Sequence, residues 1–202
     1  MARTLTPRRE PPSVSRSASE TRFTTTRLYP TRNDLPEAAR REVIGLLNQR
    51  LADSIDLQTQ CKQAHWNVKG PSFIALHKLF DEIHSAADEY VDLLAERIVQ
   101  LGGVAEGVTA IVAERSELAQ YPINISSGEE HVWALSNALA SFGERVRRAI
   151  DETDELGDTD ATDICTEISR GVDKWLWFVE AHADGATAAT ATPGTRQISR
   201  AR

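Results

Sequence analysis

The chain has 202 residues, a length that suits one domain with terminal tails, and 41% of them are hydrophobic, which is enough to build a core. It has no run of about 18 apolar residues and no CxxC motif at Cys61 or Cys165, which excludes a transmembrane helix, a disulfide framework and a cysteine zinc site. The formal net charge of −7 is uneven, with +5 on residues 1–33, −15 on residues 34–184 and +3 on residues 185–202, which favours cation binding in the body and polyanion contact at the ends.

Both ends of the chain have the composition of disordered segments. Residues 1–33 are rich in Pro, Ser, Thr and Arg, and residues 185–202 are rich in Ala and Thr, so we expect two loose tails around a folded body at residues 34–184. The N-terminal tail lacks the apolar segment of a secretory signal, although its Arg and Ser content leaves an organellar transit peptide open. We expect a cytoplasmic protein in which Cys61 and Cys165 pack as small apolar residues.

The first half of the body predicts two long helices. The first starts with Asp34 as its N-cap and Glu37 at the third helical position, and it runs to about Asn67. The second starts near Ser72, repeats apolar residues with a period near 3.6, and stops at the glycine pair that begins with Gly102.

The second half of the body predicts two more long helices. The third begins at a capping box formed by Ser126 and Glu129, and Gly157 ends it. The fourth runs from about Asp160 and ends before Gly185. Both helices carry an apolar stripe with the helical period, so each can bury one face against a neighbour.

The link at residues 104–126 is irregular, with one short helix at about 109–117. A link of this length lets the second and third helices run in the same direction, a crossover found in ferritin-like bundles. Because the sequence has no strand pattern and no internal repeat, it predicts an all-α, ferritin-like four-helix bundle with a short helix in the long crossover between helices 2 and 3.

The second helix carries two pairs of metal-ligand residue types. His77 and Asp81 are four residues apart and share a face, and so do Asp92 and Glu96. Asp81 and Asp92 are eleven residues apart, about three helical turns, so both pairs lie on nearly the same stripe. His65 lies on the preceding helix, twelve residues before His77.

The spacing of the two pairs prevents one metal ion from contacting both pairs of the same chain. Their midpoints are fifteen residues apart, or roughly 22 Å along a helix, whereas metal–ligand bonds are about 2 Å long. A metal site would therefore combine His65, His77 and Asp81 of one copy with Asp92 and Glu96 of an antiparallel second copy, and a two-fold axis would generate two equal sites. Imidazole with carboxylates is a ligand set suited to iron.

An interpretation of these residues without a metal site stays open. Carboxylates four residues apart on a helix more often form a solvated face, and isolated histidines are more often surface or core residues than ligands. The Glu-x-x-His motif of di-iron bundles does not occur in this sequence, so an intrasubunit site of that kind is not expected.

Several segments together closely resemble the Dps family, the mini-ferritins that protect DNA during starvation. The resemblance covers about residues 28–183 and rests on Asp81 and on residues 62–70 (KQAHWNVKG), 73–77 (FIALH), 92–97 (DLLAER), 101–105 (LGGVA) and 173–178 (DKWLWF). It implies a hollow dodecamer with ferroxidase centres at two-fold interfaces. One subunit would supply His65, His77 and Asp81, and its mate Asp92 and Glu96.

The resemblance also implies a reaction. Dps proteins oxidise Fe(II), preferentially with hydrogen peroxide, and store Fe(III) mineral inside the shell. Trp66, beside His65, would lie near the centre and quench stray oxidising equivalents, or would be an ordinary aromatic core residue. Iron would enter through acidic three-fold pores, for which the matching residues are Asp158, Asp160 and Asp163; a helix-capping role is the alternative for each of them.

Some Dps proteins bind DNA through basic N-terminal tails and associate with the nucleoid. In this chain the tail has no Lys, and the candidate phosphate-binding residues are Arg3, Arg8, Arg9, Arg16, Arg22 and Arg27. Twelve copies would add many weak contacts and bind DNA without sequence specificity. The alternatives are a solubilising tail, a non-enzymatic protein that compacts DNA, and a shell that sequesters another cation such as zinc.

Overall fold

The computed structural model describes residues 27–183, which form an all-helical fold. The helices are α1 (Glu37–Asn67), α2 (Phe73–Gln100), α3 (Thr109–Arg115), α4 (Gly128–Glu155) and α5 (Thr159–Glu180). Four long helices and one short helix in the crossover confirm the predicted fold class. No helix within the described range is both long and apolar enough to cross a membrane.

The four long helices form two hairpins that pack into one bundle. α1 packs along α2, α4 packs along α5, and the contacts of α1 with α4 and of α2 with α5 join the hairpins. The N–H of Lys69 donates to the carbonyl of Ser126 over 2.9 Å, in a parallel bridge between residues 69 and 127. The starts of α2 and α4 therefore lie side by side, which confirms that the crossover makes these helices parallel.

The core between the hairpins is filled by large aliphatic and aromatic side chains. Its largest fully buried members include Phe80, Phe142, Leu47, Leu51, Ile83, Leu94, Leu135 and Ile168. Cys61 and Cys165 are also fully buried, and burial raises the pKa of both thiols, that of Cys165 to about 12. Both cysteines therefore pack as neutral, small apolar residues, as the sequence predicts.

Polar side chains of α1 hold the crossover in place. The side-chain amide of Asn48 donates to the carbonyl of Val104 over 3.1 Å and accepts from the N–H of Glu106 over 2.9 Å. The buried carboxylate of Asp53 accepts from the N–H of Glu117 over 2.8 Å. Because an irregular link has unpaired backbone groups, these side chains satisfy hydrogen bonds that no helix provides.

The predicted start of α1 is wrong by a few residues. The helix begins at Glu37, and Pro36 occupies the N-cap position without a capping side chain. Asp34 does not cap it; the turn before the helix is closed instead by the Asn33 side chain, which accepts from the N–H of Leu35 over 3.0 Å. The physical reason is that a proline disfavours helical geometry in the residue before it, so the helix starts only after Pro36.

The predicted capping box of α4 is wrong by one residue. The hydroxyl of Ser127, not that of Ser126, accepts from the N–H of Glu130 over 3.3 Å, and the Glu130 carboxylate accepts from the N–H of Ser127 over 3.0 Å. The bonds from the Ser127 side chain and backbone hold the pKa of Glu130 below its usual value. The Ser126–Glu129 and Ser127–Glu130 pairs both match the capping-box motif, and in the structure the second pair forms the box.

Alanine substitutions should show which of the two serines caps α4. We expect Ser127→Ala to lower the free energy of unfolding by about 1 kcal/mol, because it leaves a helix N–H without its acceptor. Ser126→Ala is the matched control and should change it by less than about 0.5 kcal/mol. Urea unfolding followed by circular dichroism measures both, and equal losses for the two variants would contradict the assigned cap.

Candidate metal centre

The α1–α2 hairpin places two histidines side by side. The ring centroids of His65 and His77 are 3.7 Å apart, with planes 20° from parallel. Nδ1 of His65 bonds to the carbonyl of His77 over 2.7 Å, and Nδ1 of His77 bonds to the carbonyl of His65 over 2.8 Å. Because a carbonyl only accepts, each Nδ1 must donate, which leaves Nε2 of each neutral ring with a free lone pair.

Asp81 is the third candidate ligand beside this pair. One of its carboxylate oxygens lies 3.9 Å from Nδ1 of His65 and forms an ion pair with the Lys62 ammonium. The hydrogen bond from Lys62 holds the pKa of Asp81 below its usual value, so the group is an anion at neutral pH. The three residues line one open depression on the surface, and Lys62 is a neighbour that the sequence pattern did not identify.

The second predicted pair lies apart from the first on the same helix. Asp92 and Glu96 are both exposed, and Glu96 lines a separate apolar depression with Val99. Within residues 27–183 of one chain, no group of three or more His, Cys, Asp or Glu side chains is placed to hold a metal ion. The two candidate pairs therefore lie at opposite ends of α2, too far apart for one ion to contact both within a chain.

Trp66 lies at the edge of the histidine half-site. Its side chain is 67% exposed, so it is not a core residue of the single chain. The ring centroid of Phe73 lies 5.1 Å from that of His77.

The three acidic pore candidates have different environments. Asp158 is 1% exposed on its side chain, caps α5 through the N–H of Ala161 over 3.0 Å, and forms an ion pair with the buried guanidinium of Arg97. Asp160 is exposed and also pairs with Arg97, over 3.1 Å. Asp163 is exposed on the first turns of α5. The oxygens of Asp158 are occupied inside the fold, whereas Asp160 and Asp163 are exposed.

The proposed DNA-binding tail lies mostly outside the described residues. This holds for Arg3, Arg8, Arg9, Arg16 and Arg22, and also for the C-terminal tail at residues 185–202. Arg27 is described, and its guanidinium lies 4.5 Å from the centre of the Tyr29 ring. The N–H of Tyr29 donates to the carbonyl of Gly102 over 2.7 Å, so the segment that directly follows the tail lies against the C-terminal end of α2.

Comparison with known families agrees with the fold. Residues 44–187 match the family model of the ferritin-like domain, so the bundle is a ferritin-like protein. The DNA protection during starvation protein of Agrobacterium fabrum is 47% identical over 154 residues, which cover 76% of this chain and 95% of that protein. The chain belongs to the Dps family, which confirms the resemblance seen in its motifs.

Solved Dps structures are similar over the same region. DpsA14 from Streptomyces coelicolor superposes with a TM-score of 0.73 at 32% identity, covering 77% of this chain and 93% of that one. Dps from Microbacterium arborescens, determined in a high iron form, gives a TM-score of 0.69 at 34% identity and covers 76% of this chain and 98% of that one.

Proposed function

We propose that the protein is a ferroxidase and iron store, with its metal centres formed between paired subunits of a hollow dodecamer. The observation that carries the proposal is the pair of complementary half-sites at opposite ends of α2. His65, His77 and Asp81 come from one subunit, and Asp92 and Glu96 come from its mate. A cytoplasmic, nucleoid-associated location fits this role.

The exposed stripe of α2 is symmetrical about a point between residues 86 and 87. Three groups of the stripe before this point each have a counterpart the same number of residues after it. The counterpart pairs are Ile74 with Val99, His77 with Glu96, and Asp81 with Asp92. A second α2, antiparallel to the first and centred on this point, brings all three pairs together, which is the arrangement that a two-fold axis requires.

Apolar contacts at the ends of the stripe support the same pairing. Ile74 is 59% exposed and Val99 is 57% exposed, and Val99 lines the depression that also contains Glu96. In the antiparallel pair the side chain of Ile74 would enter this depression. Burying two such side chains at each end stabilises the interface by the hydrophobic effect and excludes water from the neighbouring metal ligands.

The ligand set fits the oxidation of iron. The two Nε2 lone pairs hold Fe(II), and the three carboxylates stabilise the harder Fe(III) that forms. Two Fe(II) ions lose one electron each, and hydrogen peroxide takes up these two electrons and two protons to form two waters. The carboxylates are placed to relay the protons. The reaction removes both reactants that generate hydroxyl radicals.

Rapid mixing of the assembled protein with Fe(II) and hydrogen peroxide tests this function. We expect oxidation well above the rate in buffer, followed by retention of Fe(III) in a particle of unchanged size. Oxidation at the buffer rate would leave the two alternatives, a DNA-compacting protein without catalysis and a shell for another cation. Zinc, which suits the same ligands, should compete with Fe(II) and inhibit the reaction.

Asp163 is proposed to line the route by which iron enters the shell, together with Asp160. We expect Asp163→Lys to slow Fe(II) oxidation by about tenfold, because a cation repels ferrous ions at the mouth of a narrow pore. The matched control is Glu144→Lys, which makes the same charge change at an exposed position of α4. Equal rates for both variants in the rapid-mixing assay, with assembly intact, would remove the pore assignment.

The Arg-rich tail is proposed to bind DNA without sequence specificity. We expect the full-length protein to shift a DNA fragment in a gel at low salt, and the shift to weaken steeply as salt rises, because phosphate contacts release counterions. A chain that starts at Arg32 lacks the six tail arginines and should lose the shift. Retention of DNA by that shorter chain would assign binding to another surface.

A further inference from the structure

A second His-x-x-x-Asp pair lies in the middle of the exposed stripe of α2. His84 and Asp88 have the same spacing as His77 and Asp81, and they lie between the two proposed half-sites. Neither residue belongs to the ferroxidase ligands. Both have a fixed orientation, and both are held by one residue of α1.

Gln58 orients this pair. Its backbone carbonyl accepts from Nδ1 of His84 over 3.1 Å, and its side-chain amide donates to a carboxylate oxygen of Asp88 over 2.6 Å. Because Nδ1 of His84 donates to a carbonyl, Nε2 of the neutral ring has a free lone pair, the same state that the hairpin imposes on His65 and His77. A histidine tied through one nitrogen to a carbonyl, next to a hydrogen-bonded carboxylate, is the supported form in which these groups bind metals.

The proposed two-fold axis passes through this pair. The symmetry point lies between residues 86 and 87, so an antiparallel α2 places Asp88 of one subunit within one residue, or about 1.5 Å of helical rise, of the level of His84 in the other. Two imidazoles and two carboxylates then meet around the axis. Four such groups are the ligand number of a tetrahedral site.

We propose that His84 and Asp88 of two subunits bind one divalent transition-metal ion, such as Zn²⁺, on the two-fold axis. This inference rests on the subunit pairing of the proposed function, but it concerns a separate site with a separate stoichiometry, one ion per two chains. The ion connects the two α2 helices midway between the ferroxidase centres and neutralises the two Asp88 carboxylates that the pairing brings together. Its role is to stabilise the dimer, and it takes no part in electron transfer.

The test counts zinc in a protein whose ferroxidase centres are disabled. In the His77→Ala, Glu96→Gln background, equilibrium dialysis of the assembled protein should find one Zn²⁺ per two chains, and Co²⁺ in its place should give the strong visible absorption of a tetrahedral site. Adding His84→Gln or Asp88→Asn should remove this ion. Glu144→Gln is the matched control, since it neutralises an exposed acid on another helix, α4, and it should retain the ion.

The outcomes separate the two proposals. Subunit pairs that share ferroxidase centres but bind no zinc in this background would overturn the axial site alone. A zinc content that does not fall by one ion per two chains when His84→Gln or Asp88→Asn is added would overturn it as well. Failure of the subunits to share ferroxidase centres would overturn the pairing itself.

Discussion

The His77→Ala protein is expected to lose peroxide-dependent oxidation of Fe(II) while keeping its assembly. The substitution removes one of two imidazole ligands and also the Nδ1 hydrogen bond to the carbonyl of His65, which orients the hairpin at the centre. Loss of a residue that only supports a metal ligand lowers metal affinity or activity by about 10–100-fold. Loss of the ligand itself should therefore lower the initial rate by about 100-fold or more. Stopped-flow measurement of Fe(III) formation gives this rate.

His182→Ala is the matched control for this experiment. His182 is exposed just after α5 and has no role in the proposed centre, so its replacement should leave the rate unchanged. Size-exclusion chromatography of both variants shows whether assembly is retained. An assembled His77→Ala protein that oxidises iron at the wild-type rate would place the reaction at another site.

The second large effect is expected from Asp158→Ala, through stability. Asp158 and Arg97 form a buried ion pair, with side chains 1% and 6% exposed, that connects the C-terminal end of α2 to the start of α5. The substitution leaves the Arg97 guanidinium buried without this partner and removes the α5 cap, and breaking a buried pair costs about 3–5 kcal/mol. We expect a loss of this size in the free energy of unfolding, measured with urea.

Two companion variants show whether the buried charge is the cause. Asp163→Ala removes an exposed acid of the same helix and should change stability by less than about 0.5 kcal/mol. Asp158→Asn keeps a side chain that can cap the helix but removes the negative charge, so its loss should be intermediate. A loss from Asp158→Ala no larger than that from Asp163→Ala would contradict the role of the pair.

Helix ends were predictable where one residue determines them. Gly102 and Gly157 adopt positive φ angles of 88° and 78°, a region that glycine reaches without strain, and both follow the ends of their helices as the sequence predicts. The starts of the helices were harder to predict from the sequence. Residues 126–130 contain two overlapping Ser-x-x-Glu patterns, and a local motif cannot distinguish them because the choice depends on how α4 meets the start of α2.

Four of the five ligands of each proposed centre were predictable from spacing, because residues four apart share a helical face. The exchange of Nδ1 hydrogen bonds between His65 and His77 was not, since it depends on the register between two helices. The pairing of Asp158 with Arg97, 61 residues away in sequence, was missed for the same reason. A local pattern marked Asp158 as an acidic helix start, and only tertiary packing shows that its oxygens are occupied.

The central claim is that each centre contains groups from two subunits, and mixing two inactive variants tests it directly. His77→Ala disables the histidine half-site, and Glu96→Gln disables the acidic half-site. When both chains assemble together, a mixed pair has one centre with both defects and one centre with none. Random pairing makes half of the pairs mixed, so the account predicts recovery of roughly a quarter of the wild-type rate of Fe(II) oxidation.

The same measurement can contradict the account. Centres built within single chains would remain defective in every mixture, and the activity of the mixed shells would stay at the level of the two inactive parents.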